Sequence, residues 1–141
     1  MASKTFDLER FVRAQAGDYE QALAEIKSGR KRSHWMWYIF PQYAGLGFSS
    51  MSQLYAIGSL GEARAYLAHP VLGPRLVECA EAMCAIENRS ATEVLGYPDD
   101  VKLKSSATLF AQVSPEESVF HRILDKYYGG QRDGRTLELI A

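Results

Sequence analysis

Apolar residues recur at intervals of three and four along most of the chain, which is the spacing of helices that bury one face. The clearest example runs from position 71 to position 87. One stripe of this segment consists of Leu72, Leu76, Ala80, Met83 and Glu87. The spacing predicts that residues 71–87 form a core-facing helix, the longest of the protein.

Helix starts are marked by short polar residues followed three positions later by a glutamate or a glutamine. We interpret three such pairs as capping boxes: Asp18 with Gln21, Ser59 with Glu62, and Ser90 with Glu93. In a capping box, the side chain of each member bonds the backbone N–H of the other. Each pair therefore predicts the first turn of a helix, and glycines at 29, 96, 129 and 130 predict helix ends.

Further helices are predicted near both ends of the chain. Residues 8–15 carry apolar side chains at helical offsets, and Pro98 can open a helix that runs to about residue 113. Ser114 is expected to cap a helix that continues to the double glycine, and Asp133 a short C-terminal turn.

The fold class predicted from these patterns is all-α. Strand alternation, hairpin turns and a repeating strand–helix–strand order are all missing from the sequence, so it favours a single compact bundle of about five to seven helices over residues 1–141. The segment 35–40 is apolar on all sides, and its periodicity fits a buried helix or a buried strand. We favour a helix capped by Ser33.

Composition and charge fit an ordinary globular domain. The 141 residues are 47% hydrophobic and 23% charged, with a formal net charge of −1. This balance gives no overall attraction to phosphate polymers, so nucleic acid is an unlikely partner. The N-terminus has no apolar signal sequence and no segment reaches the ~20 apolar residues of a membrane span, so a cytoplasmic location and no membrane partner are expected.

Neither a metal nor a cofactor is expected. Cys79 and Cys84 lie in an apolar helical stretch, where cysteines usually act as small core residues. His69 and His121 have no ligand spacing to each other or to a carboxylate motif. Glycine-rich dinucleotide, nucleoside-triphosphate and nucleophile-elbow signatures are also missing from the sequence.

Three blocks of sequence, in order, resemble the family called domain of unknown function 1810. They are residues 30–42, with His-Trp-Met-Trp followed by Phe-Pro-Gln, then residues 62–73 and residues 99–110. The resemblance implies an all-helical, soluble protein without an assigned activity. A calpastatin label sometimes attached to the family does not fit, because an inhibitor of that kind is a disordered repeat segment. Phe48 and Ala107 depart from the family pattern, which has a basic residue and a methionine at these places.

His34 and Lys102 are the candidate catalytic residues. His34 follows three basic residues, which favour its neutral imidazole and suit a general base. Its alternative role is a hydrogen-bonded histidine at a helix start. Lys102 is predicted to bind an anion or to act as an activated amine, and the alternative is a salt bridge with Asp99.

Eight further residues are candidates for ligand binding: Lys31, Trp35, Trp37, Gln42, Ser49, Asp99, Ser105 and Thr108. The tryptophans offer faces for stacking, and the loop after Pro41 offers amides and hydroxyls for an anion. Core packing for the tryptophans and an ordinary turn for the loop are the alternatives.

Two functional hypotheses follow. The first is a small-molecule site for an anionic, nucleotide-like or ADP-ribose-like ligand with hydrolase or lyase activity, formed where the 34–35 segment, the 42–50 loop and the Lys102 helix meet. The second is a non-enzymatic interaction module, in which Arg30, Lys31 and Arg32 contact an acidic protein or RNA.

Overall fold

The computed structural model describes residues 6–141 and contains ten helices in this part of the chain. They are α1 (Glu9–Gln15), α2 (Tyr19–Lys27), α3 (Met36–Ile39), α4 (Ser50–Leu54), α5 (Leu60–Ala68), α6 (Leu72–Ala85), α7 (Ala91–Leu95), α8 (Asp99–Ala111), α9 (Val119–Tyr128) and α10 (Gly134–Ile140). The all-α prediction is confirmed, and the predicted count of five to seven helices is too low. Helices α3 and α7 coincide with the helix favoured over residues 35–40 and the one expected after Ser90, but α4, with five residues, is too short to show a period.

The centre of the fold is built by α6, α8 and α9. Helix α8 packs on α9, and α6 packs on α2, α5 and α9. The predicted stripe of α6 is buried from Leu72 to Met83, whereas Glu87 lies beyond the helix end and is exposed. At 14 residues, α6 is the longest helix of the described chain, as predicted.

Helices α5 and α6 approach each other closely at Gly73. A Cβ atom at this position would lie 2.1 Å from the carbonyl oxygen of Leu67. Gly73 itself is buried in the first turn of α6. Only a residue without a side chain fits between the two helices at this point.

The three predicted capping boxes have different outcomes. The box of Ser90 and Glu93 is complete. Ser59 caps α5, but the carboxylate of Glu62 accepts from the backbone N–H of Gly58 at 2.8 Å instead of completing the box. Helix α2 begins after Asp18 as predicted, but the capping box is not formed, because the Asp18 carboxylate accepts a hydrogen bond from the Tyr38 hydroxyl and makes no cap.

The predicted start of α9 is four residues too early. Ser118, and not Ser114, is the cap, and its hydroxyl lies 2.9 Å from Nδ1 of His121. The C-terminal helix is confirmed, with Asp133 accepting from the Thr136 N–H at 2.9 Å. No helix within residues 6–141 is long and apolar enough to span a membrane.

Candidate ligand cleft

A cleft of about 360 Å³ opens between the segment that leads into α3 and the turn that leads into α8. We call it the His34 cleft, and its lining includes Lys31, His34, Trp37, Leu95, Tyr97 and Asp99. The two walls come from parts of the chain that are distant in sequence. Tertiary packing therefore creates the cleft.

Lys31 joins the two walls. Its Nζ lies 2.9 Å from Oδ2 of Asp99, and only 8% of its side chain is exposed. Its backbone N–H donates to the carbonyl oxygen of Val94 at 2.7 Å. The ammonium also lies 5.0 Å from the ring centroid of Trp35. Lys31 is therefore held in place by a buried ion pair and by a cation–π contact.

Asp99 is shared by two lysines. Its Oδ1 lies 3.6 Å from Nζ of Lys102, the salt bridge that the sequence offers as the alternative role of Lys102. Lys102 also lies 5.2 Å from the ring centroid of Trp37, next to the cleft wall. One carboxylate thus faces two ammonium groups, which leaves this side of the cleft with a net positive charge.

The carboxylate of Glu25 holds the loop before α3 in shape. It accepts hydrogen bonds from the backbone N–H groups of Arg32 at 2.8 Å and Ser33 at 3.0 Å. It also accepts from the Ser33 hydroxyl and, at 2.9 Å, from Nε1 of Trp35. Burial by itself raises the pKa of Glu25, but these donors outweigh it and hold the pKa at about 2.

Glu25 was missed in the sequence, although it left a signal. It stands three residues after Ala22 and one before Ile26, on the stripe that α2 buries. A carboxylate on a buried stripe needs polar partners, and the loop after α2 supplies them. The prediction that Ser33 caps α3 is wrong for the same reason, since its hydroxyl bonds Glu25 and α3 begins after Trp35.

His34 presents its imidazole to the cleft. The side chain is exposed, and its ring makes no hydrogen bond to any residue of the described chain. The other two histidines are engaged, because Nδ1 of His69 accepts from two backbone N–H groups at the start of α6 and Nδ1 of His121 contacts Ser118. His34 is therefore the histidine that remains available to a ligand.

The two tryptophans have different surroundings. Trp35 is 1% exposed and belongs to the core, whereas Trp37 is half-buried and lines the cleft. Tyr97 forms part of the opposite wall and is 80% exposed. The sequence did not single out Tyr97, because nothing in its neighbourhood distinguishes an exposed tyrosine from a core one.

Gln42 and Ser49 do not line the cleft. The carbonyl oxygen of Gln42 accepts from the N–H of Ile57 at 2.9 Å, beside the isolated parallel bridge between Tyr43 and Ile57. Ser49 is the N-cap of α4 and accepts from the backbone N–H of the third helical residue at 3.1 Å. The predicted meeting of the 42–50 loop with the Lys102 helix is not seen at this cleft.

Ser105 and Thr108 are also outside the cleft. Both are buried in α8 and donate back to carbonyl oxygens four residues earlier, at 3.1 Å and 2.8 Å. Thr108 also accepts from the N–H of Asp133 at 2.9 Å. Their hydroxyls thus serve the backbone and tie the segment before α10 to α8.

Nearly the whole chain is similar to known proteins. Residues 5–140 match the model of a family described as a protein of unknown function, DUF1810. The chain belongs to the DUF1810 family. The crystal structure of the conserved hypothetical protein Rv1873 from Mycobacterium tuberculosis is similar, with a TM-score of 0.94, 51% sequence identity and 96% of each chain covered. No curated protein matches the chain.

Two of the three DUF1810-like blocks meet at the cleft. The first block, residues 30–42, supplies one wall, and the third, residues 99–110, begins at the other wall. The second block lies in α5 and α6, where Glu62 pairs with Arg10 at 3.0 Å. Within residues 6–141, no three His, Cys, Asp or Glu side chains cluster as a metal site.

Proposed function

We propose that the His34 cleft binds a small anionic molecule with a planar ring, of nucleotide-like or ADP-ribose-like chemistry. We further propose that His34 acts on this ligand as a general base in a hydrolytic or lyase-type reaction. The observation that carries the proposal is the meeting of an unengaged histidine, a lysine and two accessible aromatic rings in one cleft.

The charges around the cleft suit an anion. Lys31 and Lys102 share the one carboxylate of Asp99, and Arg32 is an exposed cation in the lining. An ammonium group has three donors, and only the ammonium of Lys31 lies within hydrogen-bond distance of Asp99, since that of Lys102 is 3.6 Å away. Phosphate oxygens can take up the remaining donors of Lys31 and the guanidinium of Arg32.

The rings and the size of the cleft suit a base or a similar planar group. Trp37 and Tyr97 lie in opposite walls, and both are accessible to a ligand. Aromatic faces stack favourably on planar rings. A volume of about 360 Å³ falls within the range of small-molecule sites, roughly 300–1,000 Å³.

A general base needs a free nitrogen within reach of the reacting proton. The imidazole of His34 meets this requirement because no residue of the described chain binds it. Asp99 is already neutralised by two lysines, so it is a weaker candidate for the same task. Its position favours a role in holding the two walls together.

The interaction module is less well supported. It requires Arg30, Lys31 and Arg32 to form one exposed basic patch, but the Lys31 side chain is 8% exposed and paired with Asp99. The surface therefore presents two arginines separated by a buried lysine. Two such cations offer a polyanion few contacts.

The test is a thermal-shift screen of the purified chain against AMP, ADP-ribose and inorganic phosphate. A ligand that binds the native state raises the melting temperature. We expect the shift to be lost in Tyr97→Ala and kept in Arg30→Ala, an exposed cation outside the cleft. His34→Gln keeps a hydrogen-bonding side chain in the cleft, so it should keep the shift but lose product formation, measured by chromatography of the incubated ligand, whereas His34→Ala should also weaken binding.

Two results would count against the proposal. If none of the three compounds raises the melting temperature, the proposal that the cleft binds an anionic, nucleotide-like ligand is wrong. A shift with heparin or RNA that disappears in Arg30→Ala would favour the interaction module instead.

A further inference from the structure

A second cleft, of about 420 Å³, lies where the turn between α1 and α2 faces α6. We call it the Arg75 cleft, and its lining residues are Ala16, Gly17, Tyr19, Glu20 and Arg75. It shares no lining residue with the His34 cleft. A ligand here would therefore bind independently of the function proposed above.

Arg75 is a half-buried cation without a carboxylate partner in the described chain. Arg10 pairs with Glu62, and Lys31 and Lys102 pair with Asp99, whereas Lys104, also partly buried, donates to the amide oxygen of Gln131. No such pair within 4.0 Å includes Arg75. Partial burial without a counter-ion is costly for a guanidinium, unless another anion compensates for it.

The contacts of Arg75 leave most of its donors free. Its guanidinium lies 4.8 Å from the ring centroid of Tyr19, and Nη1 donates to Oε1 of Gln15 at 3.4 Å. A guanidinium carries five N–H donors. Tyr19 supports the planar group from one side while the remaining donors stay available to the cleft.

The elements that form the Arg75 cleft carry acidic residues, and two of these accept hydrogen bonds from tyrosines. Glu78, one helical turn along α6, accepts from the Tyr19 hydroxyl, and Asp18 accepts from the Tyr38 hydroxyl. Glu20 is the one carboxylate in the lining, and it is exposed. None of the three forms an ion pair with Arg75.

We infer that the Arg75 cleft binds the carboxylate group of a small organic acid. The fork of a guanidinium matches the two oxygens of a carboxylate. A singly charged group suits the site because one cation faces one rim carboxylate, whereas a doubly charged phosphate would be repelled by Glu20 and under-compensated by Arg75. Space for the rest of the acid exists at Gly17, where an added Cβ would meet no atom within 4 Å.

The experiment is a ¹H–¹⁵N chemical-shift titration of the full chain with benzoate and acetate at constant ionic strength. Inorganic phosphate and chloride are titrated separately for comparison. We expect saturable shifts at the amides of Ala16, Gly17 and Glu20 with the carboxylates. Phosphate should bind at least tenfold more weakly.

Four variants separate the site from a general charge effect. Arg75→Gln should weaken benzoate binding at least tenfold, and Arg75→Lys should weaken it less, because the lysine keeps the charge without the fork. Gly17→Leu should fill the cleft with a side chain while the charge of Arg75 is kept. Arg64→Gln removes an exposed arginine of α5 and should bind as the parent does.

The proposal is overturned if the carboxylates give no saturable shifts, or if phosphate binds more tightly than benzoate. Binding as tight as that of the parent by Arg75→Gln or by Gly17→Leu would overturn it as well. Shifts confined to residues 31–37 and 97–99 would place the acid in the His34 cleft, which refutes this inference and leaves the proposed function standing.

Discussion

At the scale of single residues, Glu25 has the largest effect on the shape of the His34 cleft. One carboxylate receives the backbone of Arg32, the backbone and hydroxyl of Ser33 and the indole N–H of Trp35. These bonds fix the loop from which Lys31 and His34 project. A buried carboxylate that satisfies so many donors leaves them unpaired when it is removed.

We predict that Glu25→Gln lowers the free energy of unfolding by roughly 2–3 kcal/mol at pH 7. The pKa of Glu25 in the folded protein, about 2, lies below the ordinary glutamate value of 4.5. The ionised carboxylate therefore stabilises the fold above about pH 4.5, and this contribution is lost as the pH falls towards 2. Chemical denaturation across this pH range measures both effects.

The matched control is Glu20→Gln, on the same helix but exposed and without a hydrogen-bond partner among the described residues. Its stability should stay within about 0.5 kcal/mol of the parent. If Glu25→Gln and the parent lose stability equally between pH 5 and pH 2, the role assigned to the Glu25 carboxylate is wrong.

At the scale of helices, the contact between α5 and α6 depends on the missing side chain of Gly73. A Cβ there would meet the backbone of Leu67, which cannot rotate away. The two helices must separate or the turn between them must distort. Either change disturbs the stripe that begins at Leu72 and fills the core.

We predict that Gly73→Ala lowers the free energy of unfolding by about 3 kcal/mol, because the added methyl group overpacks a backbone contact. Gly134→Ala is the control, since a Cβ at that position of α10 meets no atom within 4 Å. It should change stability by no more than about 0.5 kcal/mol. Equal stability of the two variants in urea would contradict the close approach.

Most of the helices could be predicted from the sequence, and α4 could not. Helix α6 shows its buried stripe over about three turns. The apolar run of α3 favoured a helix, whereas α4 completes about one turn and has no period to detect. The start of α9 was predicted at Ser114 because Pro115 and Glu117 follow it at the positions of a first-turn proline and a third-position acid. The cap is instead Ser118, whose hydroxyl lies beside His121 in the first turn of the helix.

At the scale of the whole molecule, the buried ion pair of Lys31 and Asp99 connects the segment after α2 to the start of α8. The pair has a useful comparison on the surface, because Arg122 and Glu81 also lie 2.9 Å apart. The exposed side-chain fractions are 8% and 18% for the first pair and 51% and 50% for the second. The two pairs therefore have the same N–O distance and differ in how far their side chains are buried.

We predict that Asp99→Asn lowers the free energy of unfolding by about 3 kcal/mol, because it leaves the charge of Lys31 buried and unpaired. Glu81→Gln should cost less than about 1 kcal/mol, since solvent screens the surface pair. Denaturation in urea at low and high salt measures both. Similar costs for the two variants would show that the Lys31 pair is as solvated as the surface pair.

The candidate site could be predicted only in part. The segments that carry Lys31, His34 and Trp37 on one side and Asp99 on the other were singled out by their residue types. These segments meet only when the chain folds, and no local pattern in the sequence predicts the contact between them. Ser105 and Thr108 were misplaced because hydroxyls inside a helix can bond the preceding turn as readily as a ligand.

The measurement that tests the account most directly is a backbone amide chemical-shift map of the chain with ADP-ribose, repeated on His34→Ala. His34 is exposed and its ring is unpartnered in the described chain, so the variant should fold with the stability of the parent. We predict chemical-shift changes at residues 31–37 and 95–99. The variant should bind ADP-ribose at least tenfold more weakly than the parent. Shifts that fall elsewhere, or that His34→Ala leaves unchanged, would contradict the assignment of the His34 cleft as the ligand site.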